Sequence, residues 1–433
     1  MASKPQTGSR RAAIVRGLRT PFVKAGTVFA ELTALDLGRM VVRELVERAS
    51  LDPKVIDQLV FGQVIPTLTA TSIAREVVIA AGLPRTLEAH TVARACATSI
   101  QSFTDAANAI QLGLAEVVVA GGTESMSDPP VFASRPLAQA LIAASRAKGF
   151  PNKVRPFQRL KAKDLLPQPP AIAEYSTGLT MGESAEKMAK ENGITRKAQD
   201  EIALASHQNS ARAWKEGRFR DEVMHVPVPP AYEETADRDN IVREDTSLEA
   251  LGALKPVFDR RYGSVTAGNA SPLTDGAAAL LVMSEERAKA LGFAPLGFLR
   301  AYAYAATDPA DQLLQGPAYA APIALERAGM KLGDIDLFEM HEAFAAQVAS
   351  NLQAFASKDF AKKAGRASPL GEVDRTRLNV NGGSIALGHP FGATSARILM
   401  QALTELKRRN KNTVLCTVCA QGGLGAAVVL ERA

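Results

Sequence analysis

Cysteine is scarce in this chain: three residues in 433, at positions 96, 416 and 419. An odd and widely spaced set of thiols builds no disulfide framework, which points to a reducing compartment. Aromatic residues make up only 5%, with one Trp. Long apolar runs are missing too; none approaches the roughly 18 residues of a membrane-crossing helix. The basic, polar stretch Met1 to Arg11 leads into no apolar signal region. Secreted and membrane-spanning classes are therefore disfavoured, and a cytoplasmic protein is expected. Charge of one sign is also modest. A net charge of +6, without long Lys/Arg runs, argues against a nucleic-acid binder. The dense basic clusters Arg155 to Lys163 and Lys407 to Lys411 read as solvated faces, or else as sites for a phosphate-bearing small ligand or an acidic surface.

What is present is an ordinary globular composition, 46% hydrophobic and 22% charged, long enough to bury a large core across two or more domains. Apolar β-branched runs alternate with amphipathic helical stretches, the pattern of an α/β sheet protein. Val55 to Gly62 and Glu116 to Gly122 read as strands, and Thr98 to Leu112 as a helix with Ile100, Phe103, Ala107 and Ile110 at helical spacing. The second half repeats the plan. Gly333 to Met340 resembles the segment 55–62, Ala393 to Lys407 reads as a helix, and Thr413 to Cys419 as a strand ending in glycines. Asp57 and Asp336 lie 279 apart, Ala97-Thr98-Ser99 and Ala393-Thr394-Ser395 296 apart, and Gly121-Gly122 and Gly422-Gly423 301 apart. So small a drift implies a duplicated domain with modest insertions. Between the halves, residues 129 to 270 are rich in proline (Pro129-Pro130, Pro167, Pro169-Pro170, Pro227, Pro229-Pro230) and carry helical stretches at Gly182 to Asn192 and Lys197 to Glu216. This region reads as an inserted subdomain covering the site, with a plain surface excursion as the alternative.

Cys96 precedes a helix, where unpaired N–H groups and the helix dipole favour a thiolate and can hold an oxyanion; a small buried core cysteine is the other reading. His389 follows the glycine-rich Asn379-Val380-Asn381-Gly382-Gly383 and precedes Pro390, which suits the first turn of a helix. A neutral imidazole is the natural base for a thiol. Cys416 and Cys419 form a Cys-x-x-Cys, yet on a strand, positions three apart face opposite ways with backbones about 10 Å apart, so neither redox pairing nor zinc is expected. Cys416 is assigned to the core, and Cys419, at the strand end before Gly422-Gly423-Leu424-Gly425, to the site. That glycine run half-matches a dinucleotide fingerprint but lacks the helix, strand and acid that should follow. His341-Glu342-Ala343-Phe344-Ala345 follows a strand and opens a helix, either lining the site or capping the helix. His90, His207 and His225 receive no role.

Taken together, these blocks resemble the thiolase family from about Arg11 to Glu431. The resemblance rests on the Cys96 block, Gly121 to Ser127, Thr266 to Ala278, His341-Glu-Ala-Phe, Gly388-His389-Pro390 and the Cys419 block. It implies a duplicated α/β/α/β/α layered fold with an inserted loop domain. The boundaries would be 1–128 for the first half (completed by about 271–294), 129–270 for the loop domain with most coenzyme A contacts, and 295–433 for the second half. Cys96 would accept the acyl group, His389 would activate it, and Cys419 would serve as acid and base for the α-carbon of acetyl-CoA. Ser271 and Met181 match positions near bound coenzyme A. Two departures stand out: His341 where many members have asparagine, tied to a water-assisted oxyanion hole, and Gln421 where many have glycine. With Met126 to Pro129 they resemble the branch that partners a hydratase/dehydrogenase subunit in fatty-acid oxidation.

The resemblance implies thiolytic cleavage of 3-oxoacyl-CoA in β-oxidation, with no cofactor beyond coenzyme A and acyl-CoA as substrates, and a homodimer. Alternatives are a short-chain acetoacetyl-CoA thiolase, a decarboxylating 3-oxoacyl synthase, and a non-catalytic acyl-CoA carrier. The synthase usually has two histidines instead of the Cys419 block, and the full catalytic set argues against the carrier.

Overall fold

A computed structural model describes residues 10–168 and 173–433; the polar start before Arg10 and the Pro169-Pro170 pair lie outside the described residues. Two compact units emerge. The described residues up to Val64, Ser72–Asp128 and Ala173–Ala433 form one; Ile65–Thr71 and the described residues from Pro129 form the other. The smaller unit holds the helix Arg135–Arg146, started by Ser134, whose hydroxyl accepts from Leu137 N–H, and short turns that carry the basic residues of 155–163.

The larger unit is built on one mixed sheet. Its strands are β1 (Ala12–Arg19), β2 (Val23–Lys24), β3 (Gln58–Gly62), β4 (Glu88–Val92) and β5 (Val117–Glu124). The pair β6 (Val226–Pro227) and β7 (Thr235–Ala236) stands apart, and β8 (Thr274–Ser284), β9 (Gly297–Ala306), β10 (Leu337–Met340), β11 (Thr413–Ala420) and β12 (Leu424–Arg432) complete the chain. The main order is β10-β11-β12-β9-β1-β8-β5-β3-β4, with β2 against β8.

The directions within that order establish the duplication. In the first half β3 runs parallel to β5, β5 antiparallel to β8, and β8 antiparallel to β1. In the second half β10 runs parallel to β11, β11 antiparallel to β12, and β12 antiparallel to β9. The copies join where β1 meets β9 through two paired positions. The acids that mark the repeat do the same work in each copy. The Asp57 carboxylate accepts from the N–H groups of Glu116 and Val117, and the Asp336 carboxylate from those of Asn412 and Thr413. Each pins the start of its neighbouring strand.

The third landmark does not hold. Gly121 and Gly122 lie inside β5, whereas Gly422 and Gly423 form the turn between β11 and β12 with φ of 85° and 71°. Matching helix starts, at Thr98 and Thr394, and matching strand starts, at Val117 and Thr413, keep an offset of 296. Cys96 therefore corresponds to Gly392, and Cys96 and Cys419 do not occupy equivalent strand ends. Glycine inside β5 has another reason. A Cβ on Gly122 would lie 2.1 Å from the Gly392 carbonyl oxygen, so the bare backbone admits the loop that carries His389.

The helices Thr98–Gln111 and Thr394–Arg409 pack in the same core with residues of β5, β8, β11 and β12. The second is buried on nearly every side and ends at Asn410, whose left-handed φ of 54° and preceding Lys407, Arg408 and Arg409 suit a helix C-terminus. The expected strand from Val55 begins only at Gln58, because Asp52 and Pro53 start a short turn first. Pro390 stands outside the helix it was expected to open; its carbonyl accepts from Ala393 and Thr394 N–H ahead of the helix. Among the described residues no helix is long and apolar enough to cross a membrane.

Candidate active site

Cys96 sits on a strained turn. Ala95 before it has φ of 44°, a conformation that side-chain-bearing residues avoid. Thr98 holds the turn: its Oγ1 accepts from Arg94 N–H at 2.8 Å and donates to Ala95 C=O at 2.7 Å. The two helix starts are then stitched across the repeat. Ser395 Oγ donates to Cys96 C=O at 2.7 Å, and Ser99 Oγ accepts from Ala396 N–H at 2.9 Å.

Against this turn the second copy delivers an imidazole. Gly388, with φ of 100°, turns the chain so that His389 N–H donates to Thr274 Oγ1 at 2.8 Å. Its Nδ1 lies 2.7 Å from Thr394 Oγ1, and its Nε2 lies 3.2 Å from Cys96 Sγ. The Thr394 hydroxyl also donates to Pro390 C=O at 3.1 Å. With its hydrogen spent there, Thr394 accepts from Nδ1–H, which leaves Nε2 as a bare acceptor facing the thiol.

A second imidazole shares the space. His341 leaves β10 with its N–H on Thr417 C=O, and its ring centroid lies 4.1 Å from that of His389. Its Nδ1 lies 2.9 Å from Ser384 Oγ, while its buried Nε2 has no hydrogen-bond partner among the described residues. Next to it Glu342 ties down the glycine loop, accepting from Ser206 Oγ, Asn379 Nδ2 and Ile385 N–H. Donor atoms of Cys96, His341 and His389 all lie within 4.8 Å of one another. That closeness would suit a metal; among the described residues, both Nδ1 atoms lie against hydroxyls and His389 Nε2 lies against the thiol.

Cys419 and Cys416 lie on opposite faces of β11, as strand geometry requires. Cys416 packs with the helix Thr394–Arg409; Cys419 packs with Leu313, Ala343 and Ala346. Met181, at the start of the helix Met181–Glu191, borders the same cluster as Cys419. Ser271 donates its N–H to Ala343 C=O at 2.9 Å, beside that cluster. The turn after β11 is held by Gly422 N–H on Glu174 and by the Gln421 side-chain amide on Ala173 C=O.

Electrostatics keep these groups neutral at rest. Burial pushes the Cys96 thiol up to about 12, although the N–H groups of Gln421 and of Cys96 itself pull the other way. Cys96 still keeps part of its surface open. Burial, aided by the charge of Arg397, drives His389 down to about 3, and it holds His341 well below the ordinary histidine value. Burial and nearby Cys96 raise Cys419. A resting thiolate, expected from the helix start, is thus not favoured: desolvation outweighs the N–H groups of Gln421 and Cys96.

Sequence reasoning overlooked Thr394, Ser384 and Arg397. Thr394 belonged to a repeat landmark, and Arg397 is a lone charge in a buried helical stretch; Ser384 carried no signal. A cavity of about 1250 Å³ lies apart from these groups, lined by residues including Arg16, Arg48, Arg218, Lys407 and Arg408.

Two family models match, "Thiolase, N-terminal domain" over residues 12–286 and "Thiolase, C-terminal domain" over residues 293–432. A 3-ketoacyl-CoA thiolase of Shewanella loihica is 53% identical over 97% of each chain, and one of Shewanella piezotolerans is 52% identical over the same shares. Among solved structures, an acetyl-CoA acetyltransferase of Bacillus anthracis superposes with a TM-score of 0.85 at 33% identity, covering 99% of this chain and 100% of that one. A human mitochondrial 3-ketoacyl-CoA thiolase in complex with CoA gives 0.82 at 31% identity, covering 98% of each chain.

Proposed function

Since the chain belongs to the thiolase family, we propose that it is an acyltransferase of the 3-ketoacyl-CoA thiolase type, cleaving 3-oxoacyl-CoA with coenzyme A. The observation that carries this reading is the 3.2 Å approach of His389 Nε2 to Cys96 Sγ. Nε2 takes the thiol proton as sulfur attacks the 3-oxo carbon, and the tetrahedral oxyanion collapses with scission of the bond between C2 and C3. Cys419 donates its proton to the departing carbanion, which leaves as acetyl-CoA. Free coenzyme A then gives its thiol proton to Cys419 and takes the acyl group, while His389 returns a proton to Cys96. Because thiol and imidazole start neutral, ionisation is confined to the reacting complex. No metal or further cofactor enters these steps.

The unpartnered Nε2 of His341 supports a role as oxyanion donor, and Met181 and Ser271, beside the Cys419 cluster, support contact with coenzyme A. The relatives' name and the free thiols support a place in fatty-acid β-oxidation in the cytoplasm. The edge of β4, which among the described residues pairs with β3 alone, supports a homodimer. The His341, Gln421 and 126–129 pattern supports association with a hydratase/dehydrogenase subunit. A short-chain acetoacetyl-CoA thiolase remains the second reading, favoured by the superposition on the acetyltransferase.

Intact-protein mass spectrometry after mixing with a 3-oxoacyl-CoA should show an acyl adduct on the wild type and none on Cys96→Ala. The same adduct on both would remove Cys96 from the reaction. Thiolysis rates across a chain-length series separate the two substrate readings.

A further inference from the structure

The two imidazoles at the site carry opposite hydrogen-bond instructions. His389 faces a threonine whose hydrogen is already committed to a carbonyl. His341 faces a serine in the reverse situation. Ser384 Oγ accepts from Arg397 Nη2 at 2.9 Å and lies 2.9 Å from His341 Nδ1. A guanidinium has only donors, so it occupies a lone pair of Ser384 and leaves the hydroxyl hydrogen to be placed. Ser384 is fully buried, and Nδ1 of His341 is the acceptor in reach. If Nδ1 bore the proton instead, the Ser384 hydrogen would be stranded in the interior without an acceptor, which buried hydroxyls avoid.

We propose that Arg397 and Ser384 are positioning residues that fix His341 as the neutral Nε2–H tautomer, making it a donor to the oxyanion while His389 acts as base. This inference rests on the thiolase reading above. Arg397 is suited to the task. It is 1% exposed, its Nη1 is held by Gln401 Oε1 at 3.1 Å, and it sits in the helix that also carries Thr394. One helix thereby sets both tautomers, Thr394 for His389 and Arg397, through Ser384, for His341. The groups that bear on His341 are Cys96 from its turn, His389 from the 388–393 loop and Arg397 from the helix; the carboxyls of Glu339 and Glu342 bear on Arg397. The nearby guanidinium opposes a second proton on His341, which would add a charge beside it.

The direct test is nitrogen NMR of the full chain labelled with ¹⁵N-histidine, its five imidazoles reduced to four in His341→Asn to assign the signal. His341 should show protonated Nε2 and acceptor Nδ1 unchanged from pH 6 to 9; an Nδ1–H ring, or one titrating in that range, overturns the proposal. Arg397→Met should let the Nδ1–H form appear, and a pure Nε2–H signal there removes Arg397 from the proposal. Kinetics supply the second arm. Ser384→Ala should lower kcat for thiolysis about 10- to 100-fold with KM within about threefold, the pattern of a donor used in the transition state. Ser384→Thr, which keeps the hydroxyl, should recover most of that loss. Alkylation of Cys96 by iodoacetamide should be unchanged in Ser384→Ala, because His389 and Thr394 are untouched. Unchanged kcat, or parallel loss of alkylation, overturns the proposal. A wild type without thiolysis would instead remove the functional reading, leaving the NMR result to stand alone.

Discussion

At the Cys96 sulfur two effects of opposite sign meet. The N–H groups of Gln421 and Cys96 favour a thiolate, burial favours the thiol, and burial prevails. A thiol held up to about 12 keeps its proton throughout the neutral range, and an imidazole driven down to about 3 stays unprotonated there. The wild-type minus Cys96→Ser absorbance at 240 nm should therefore stay flat from pH 6 to 9; a thiolate band in that range would reverse the assignment. The thiols and His389 were legible in the sequence because cysteine is rare and a histidine amid glycines is conspicuous. Their tuning was not. Serine and threonine are common everywhere, and whether Thr394 or Ser384 touches an imidazole depends on loops brought together from positions far apart.

Among the elements, those that hold the site are fastened by backbone approach and buried charge. Gly122→Ala would drive a methyl into the Gly392 carbonyl, displacing the His389 loop. Its expected signature is a kcat loss of tenfold or more with unaltered circular dichroism; unchanged kcat would show that the loop yields freely. Arg19, fully buried in β1, binds Asp239 through two nitrogens at 2.7 and 3.0 Å and Glu222 at 3.0 Å. Removing Asp239 leaves the buried cation with Glu222 alone and Phe22 N–H without its acceptor, so Asp239→Ala should lose about 3–5 kcal/mol in denaturant unfolding. A loss under 1 kcal/mol would mean that water reaches the guanidinium. Apolar runs such as Val117 to Ala120 revealed β5 and β11, since full burial needs no alternation, but the equally buried β8 and the strands β1, β9 and β12 were not read. The short β4, with its mixed exposure, gave no such sign and was missed.

For the whole molecule, the repeat was readable from Asp57 and Asp336 because each accepts from two N–H groups at the start of the neighbouring strand in its copy. The glycine pairs misled, since glycine serves close approach in one copy and a tight turn in the other. The edge of β4 makes its own prediction: sedimentation should report twice the mass of one chain at micromolar concentration, and a monomer would discard the dimer. The stitch between Ser99 and Ser395 has a wider consequence. Two equivalent helix starts face each other, yet one bears Cys96 where the other bears Gly392. The copies differ in what they bring to the site: the first carries Cys96, and the second carries His341, His389 and Cys419. Neither half is a smaller enzyme in waiting, and a chain divided between residues 286 and 293 should regain turnover only when both pieces reassemble.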